Sequence, residues 1–142
     1  MLFLGRHVGY PVALEGALKL KELAYMHAEG FAAGELKHAP IALIDQGTPV
    51  VVVAPDGPLQ AKLVNNIQEI RARGARTIVI ASAGDDTMRP YADHVIVVPH
   101  TPTLLSPLVT VIPTQVLACE IAVARGLDVD QPRNLAKSVT VE

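Results

Sequence analysis

Residues 49–54 read Pro49-Val50-Val51-Val52-Val53-Ala54, and this run decides the fold class. β-Branched side chains are stiff at χ1 and pack well on a pleated surface. Four valines in succession leave no polar residue for a solvent face. A strand written this way is buried on both sides, as in a parallel sheet covered by helices above and below.

The flanks agree with that reading. Asp56-Gly57-Pro58 is a turn and helix start, and residues 59–73 follow helical spacing, with Leu59, Leu63, Ile67 and Ile70 on one face. Arg71 and Arg73 suit the C-terminal end of that helix, and Gly74 ends it. Residues 77–81 read as a second buried strand, 82–90 as a loop, and 94–98 as a third strand closed by Pro99. Upstream, residues 1–4 form a short strand that turns through Gly5-Arg6. Pro11 fits the first turn of a helix that runs to about His27 and stops near Gly30. Residues 41–44 are a short apolar segment. Residues 104–125 form a long apolar helix, bent near Pro113 and stopped by Gly126. The series strand, helix, strand, helix, strand, loop, strand, helix predicts an α/β doubly wound three-layer sandwich with a parallel central sheet, flavodoxin-like in topology. Such folds bind ligands beyond the carboxyl ends of their strands, which places the loops 5–11, 54–58 and 81–86 at the ligand edge.

Composition narrows the function. The chain has 142 residues, is half hydrophobic, and carries a formal net charge of −2. That is one domain by length with ample core, and it lacks the basic balance of a nucleic-acid binder. The single Cys119 permits no internal disulfide, and the start lacks the pattern of a signal peptide, so a cytoplasmic setting is expected. A chain that opens directly in a buried strand reads as a piece of something longer. Residues 104–124 come nearest to a membrane span, but Pro107, Pro113, Gln115 and Glu120 interrupt them. A buried core helix is expected there, and no membrane partner. Neither Gly-x-Gly-x-x-Gly nor a P-loop is present, and scattered histidines with one cysteine predict no metal site. His94 and His100 read as structural.

The chemistry concentrates in residues 15–40, EGALKLKELAYMHAEGFAAGELKHAP. Leu14, Ala17, Leu18, Leu20, Leu23, Ala24 and Met26 make the helix apolar over most of its circumference. Glu15, Lys19 and Glu22 then form one narrow polar stripe at helical spacing. The stripe is either an intrahelical ion-pair network or the lining of a crevice. His38, in a segment broken by Gly34 and Pro40, is placed for proton transfer or is simply a packed histidine. The tail, DVDQPRNLAKSVTVE over residues 128–142, is polar and aperiodic, yet Leu135, Val139 and Val141 could dock it. Lys137 is either solvated surface or an amine nucleophile.

Three segments carry a family resemblance: EGALKLKE (15–22), GELKHAP (34–40) and DQPRNLAKSVTVE (130–142). Together they resemble the last sugar-isomerase (SIS) domain of the glucosamine-6-phosphate synthase family, the glutamine:fructose-6-phosphate amidotransferases. The resemblance covers essentially the whole chain. It implies an SIS domain over residues 1–126 and a C-terminal catalytic tail over 127–142. It implies the isomerase half of an enzyme that converts fructose 6-phosphate and glutamine-derived ammonia to glucosamine 6-phosphate, inactive by itself. His38 would open the sugar ring from a neighbouring subunit, Lys137 would form a Schiff base, and Glu22 would move a proton between C1 and C2. Lys19 would hold Glu22 and the sugar oxygens, and Ala136 would offer backbone contacts. No metal or organic cofactor is implied. The implied partners are a sister SIS domain, a glutaminase domain and a second subunit in a homodimer. The family pattern has glycine after the histidine where this chain has Ala39, so the local loop geometry is in question.

The loop 55–58 carries two prolines, an aspartate and no hydroxyl, so it is a poor phosphate cradle, and the sister domain would supply that grip. The other readings are a freestanding SIS sugar-phosphate-binding or regulatory module, and an interaction module built on the two apolar helices.

Overall fold

A computed structural model describes residues 1–133. Five strands form one sheet in the order β2-β1-β3-β4-β5: β1 (Leu2–Gly5), β2 (Glu29–Ala32), β3 (Pro49–Ala54), β4 (Arg76–Ser82) and β5 (His94–Val98). Every neighbouring pair is parallel. The helices are α1 (Gly9–Ala24), α2 (Gln60–Arg71) and α3 (Ser106–Ala124). The chain steps from β1 outward to β2, then back across β1 to β3, so the topological switch lies between β1 and β3.

The valine run behaves as its composition requires. Val50, Val52 and Ala54 join Leu2, Leu4 and Val79 on the face that α2 covers with Leu63, Ile67 and Ile70. Val51 and Val53 join Phe3, Ile80 and Val98 on the opposite face, under Val12, Ala13, Ala17 and Leu20 of α1 and Ala118 and Ala122 of α3. All four valines are fully buried. Gly16 makes the second layer possible: a Cβ there would lie 2.8 Å from the Phe3 ring and 3.0 Å from Thr114 Cβ.

Three expectations need correcting. Residues 29–32, expected to follow a helix end, form the edge strand β2, and α1 ends at Ala24 rather than near His27. Gly30 lets this strand slip beneath α1, since a Cβ there would lie 2.8 Å from the Leu14 Cα. Helix α3 is not a buried core helix. Only Ser106, Thr110, Thr114, Ala118 and Ala122 are buried, one i, i+4 stripe of small residues. Leu108, Ile112, Val116 and Val123 are more than half exposed. Among the described residues, Thr103–Ala124 is long and apolar enough to cross a membrane by length and composition. Finally, α1 is less enclosed than its composition suggests, because Leu14 and Leu18 face outward.

A candidate active site at the amino edge of the sheet

In a parallel sheet each crossover helix runs back from the carboxyl edge to the amino edge. Helix α1 therefore starts beside the end of β1 and finishes beside the start of β2. Glu22, two residues before the helix end at Ala24, is carried to the amino edge. The stripe forms there as spaced: Lys19 Nζ lies 2.5 Å from Glu22 Oε2 and 3.6 Å from Glu15 Oε1. The bond to Glu22, helped by the charges of both glutamates, outweighs partial burial and raises the Lys19 pKa above its ordinary value of 10.5. Lys19 thus stays a cation and fixes the Glu22 carboxylate by a charge-assisted bond.

Helix α3 also runs back to the amino edge, so the following segment leaves the sheet on the same side as Glu22. Leu127 and Val129 pack against the cluster that holds Leu23 and Met26 at the end of α1. Tyr25 closes α1 in the left-handed conformation, with φ 51° and ψ 36°. The Arg133 amide donates to the Tyr25 hydroxyl at 2.7 Å. The Arg133 guanidinium stacks 4.2 Å from the centre of the Tyr25 ring. Sequence reasoning passed over Tyr25, which lay inside the expected helix and whose partner is 108 positions away. Ala136 and Lys137 lie outside the described residues.

His38 is not brought to Glu22. It ends a 3-10 turn, Ala33–His38, whose Leu36 packs in the cluster under α2, and Lys37 pairs with Glu69 of α2 at 2.8 Å. Its side chain is 76% exposed, and Glu35 Oε2 lies 3.9 Å away. Glu22 and His38 belong to the layers on opposite faces of the sheet. Ala39 takes φ 128°, a region that favours glycine. An alanine holding this conformation carries a strain of about 1–3 kcal/mol.

The carboxyl edge holds a small open cleft at the switch point, between Arg6, His7, Asp56, Gln60 and Thr103. It is not built for an anion. The Asp56 amide is spent on Ser82 Oγ at 3.0 Å, Gln60 Nε2 bonds the Asp85 carboxylate, and the Asp56 carboxylate lies 3.8 Å from His100. Arg6 is drawn to Asn66 Oδ1 at 3.0 Å. The Asp85 carboxylate is thus held by the first residue of α2 and Asp56 lines the same cleft, where a phosphate would need free N–H groups. Among the described residues no group of three or more His, Cys, Asp or Glu is gathered to hold a metal ion.

The sheet order and the paired helix layers define a doubly wound α/β domain of flavodoxin-like topology. The SIS domain profile matches residues 1–125, and the chain belongs to the SIS domain family. It is 73% identical to a glutamine–fructose-6-phosphate aminotransferase (isomerizing) of Streptomyces coelicolor, over 100% of this chain and 24% of that protein. The chain thus spans about a quarter of the length of the curated relatives it matches. Among solved structures, the C-terminal domain of the glucosamine-fructose-6-phosphate aminotransferase of Francisella tularensis superposes with a TM-score of 0.83 at 40% identity, over 92% of this chain and 37% of that one. A glucosamine-6-phosphate deaminase of Thermotoga maritima superposes with a TM-score of 0.78 at 27% identity, over 99% of this chain and 40% of that one.

Proposed function

We propose that this chain is the C-terminal isomerase half of a glucosamine-6-phosphate synthase, with an SIS domain over residues 1–126 and a catalytic tail over 127–142. The observation that carries this reading is 73% identity along the whole chain to an isomerizing glutamine–fructose-6-phosphate aminotransferase.

The chemistry assigns each residue a task. His38, exposed on the α2 side, opens the fructose 6-phosphate ring in the site of a neighbouring subunit, since its own Glu22 lies on the other layer. Imidazole suits the step because it titrates near neutrality. The Lys137 amine attacks C2 of the open ketose and water leaves, giving a protonated imine. Ammonia derived from glutamine attacks the same carbon and displaces the lysine. The imine acidifies the C1 proton, which Glu22 removes and returns to C2, while the C1 hydroxyl gives up its proton and becomes the aldehyde and the new amine is left protonated, giving the 2-amino aldose. Lys19 orients the Glu22 carboxylate through their bond, and Ala136 offers backbone contacts to the sugar.

The imine is the electron sink, so the scheme uses no metal or organic cofactor. The acidic surroundings of the carboxyl-edge cleft leave the phosphate grip to the sister SIS domain. Leu14 and Leu18 of α1 and Leu108, Ile112 and Val116 of α3 offer an apolar face suited to that domain or to the second subunit of a homodimer. The setting is cytoplasmic, with neither nucleic acid nor membrane as partner.

The test is to treat the whole enzyme containing this chain with fructose 6-phosphate, reduce it with borohydride, and map the adduct by mass spectrometry. A single adduct on Lys137 is expected. Adducts spread evenly over surface lysines would overturn the assignment.

A further inference from the structure

We propose that Tyr25 is a positioning residue that fixes where the C-terminal tail begins relative to Glu22. The proposal rests on the reading above, in which Glu22 and the tail lysine serve one substrate. Two independent contacts join Tyr25 to Arg133: the amide-to-hydroxyl bond at 2.7 Å and the guanidinium stack at 4.2 Å. They bridge 108 positions of sequence. Tyr25 follows Glu22 by three residues, about 4.5 Å of rise along the axis if helical spacing continued to it.

Arg133 precedes Lys137 by four residues. Four residues span at most about 14 Å when fully extended. An anchor at Arg133 therefore leaves four residues of sequence between a contact at the end of α1 and Lys137. Without the anchor, the next fixed points are Leu127 and Val129, and the tether to Lys137 doubles from four residues to eight. Doubling a tether raises the volume over which the amine is spread and lowers its effective concentration at the sugar. The left-handed backbone at Tyr25 is the local device: φ 51° ends the helix and turns the residue out of the α1 rod. A tyrosine carries a backbone state there that glycine would adopt more easily. A glycine would offer neither the hydroxyl nor the ring.

The role differs from that of a catalytic residue, since Tyr25 touches the tail and not the reacting atoms. It should alter the rate of imine formation and turnover more than the affinity for sugar phosphate. The experiment uses the whole enzyme and three variants: Tyr25→Phe, which loses the hydroxyl; Tyr25→Leu, which loses hydroxyl and ring; and Arg133→Ala, which loses the stack but keeps the amide. For each, the rate of borohydride-trapped adduct at Lys137, kcat, KM for fructose 6-phosphate and Tm are measured.

A misplacement of about 1 Å can cost up to about 100-fold, so Tyr25→Leu should lower kcat and trapping about 30-fold. Tyr25→Phe and Arg133→Ala should each lower them about 3- to 10-fold, with KM within about twofold of wild type. Unchanged trapping and kcat in all three variants would overturn the proposal, as would losses matched by the fall in Tm, which mark a structural role. The wild-type enzyme is the control for the underlying reading. If it forms no adduct at Lys137, that reading fails first, and this inference with it.

Discussion

The two faces of the sheet are built from the same valine run but finished differently. On one face α2 presents Leu63, Ile67 and Ile70 inward and Lys62, Asn65, Gln68 and Arg71 outward, so the layer ends in water. On the other, α1 and α3 bury small residues inward and carry Leu14, Leu18, Leu108, Ile112 and Val116 outward. Between the two helices, burial relies on the close approach of Gly16 to Thr114. The large side chains are left over for a further surface. The first layer is a finished exterior, whereas the second is an interior with one wall missing. The proposed active-site residues Lys19 and Glu22 sit in the unfinished layer, where a second domain would complete a crevice around them.

The comparison breaks or sharpens by experiment. The largest effect belongs to the finished side. Ile67 is fully buried, so Ile67→Ala should destabilise the protein by about 2–5 kcal/mol in chemical denaturation. The intermediate effect is the polar stripe. Lys19 gains its raised pKa from Glu22 and Glu15, so its contribution is present in full below pH 10.5 and is lost as pH rises through the higher folded value. Wild type should therefore exceed Lys19→Met by about 0.5 kcal/mol per pair at neutral pH, and the two should converge in alkaline melting. A gap that grows above pH 10.5 would contradict the pairing. The smallest stability effect should come from the unfinished side. Leu108→Ser and Ile112→Ser should each change stability by no more than about 0.5 kcal/mol, while shifting sedimentation of the chain from associated species towards monomer. A cost equal to that of Ile67→Ala would show that the outer face of α3 is already covered.

The sequence displayed the fold where burial is written in bulk and period. Four valines, the Leu63-Ile67-Ile70 spacing and the glycine stops led to a parallel doubly wound sheet. It hid the elements whose burial depends on smallness. Strand β2, Glu-Gly-Phe-Ala, has neither a run nor an alternation of apolar residues, and its place depends on Gly30 fitting beneath α1. Helix α3 was misread because apolar residues surround it evenly, so only contact shows that serines, threonines and alanines form its inner stripe. Of the candidate site, Glu15, Lys19 and Glu22 were legible because helical spacing alone puts them together. The separation of His38 from Glu22 was not, since it arises from the turn after β2 crossing to the α2 layer. Tyr25 was hidden for a different reason: its partner is Arg133, and no local pattern links residues so far apart.

Gly16 has a mechanical consequence. A helix transmits displacement along its axis much as a rigid rod does, and α1 is seated at Gly16 against the Phe3 ring and Thr114. Glu22 is six residues further along the same rod. The missing side chain at Gly16 therefore acts as an index notch, setting the depth at which the carboxylate is presented. A single methyl group in that notch would not need to touch the chemistry to detune it. It would lift the bearing, and the far end of the rod would move.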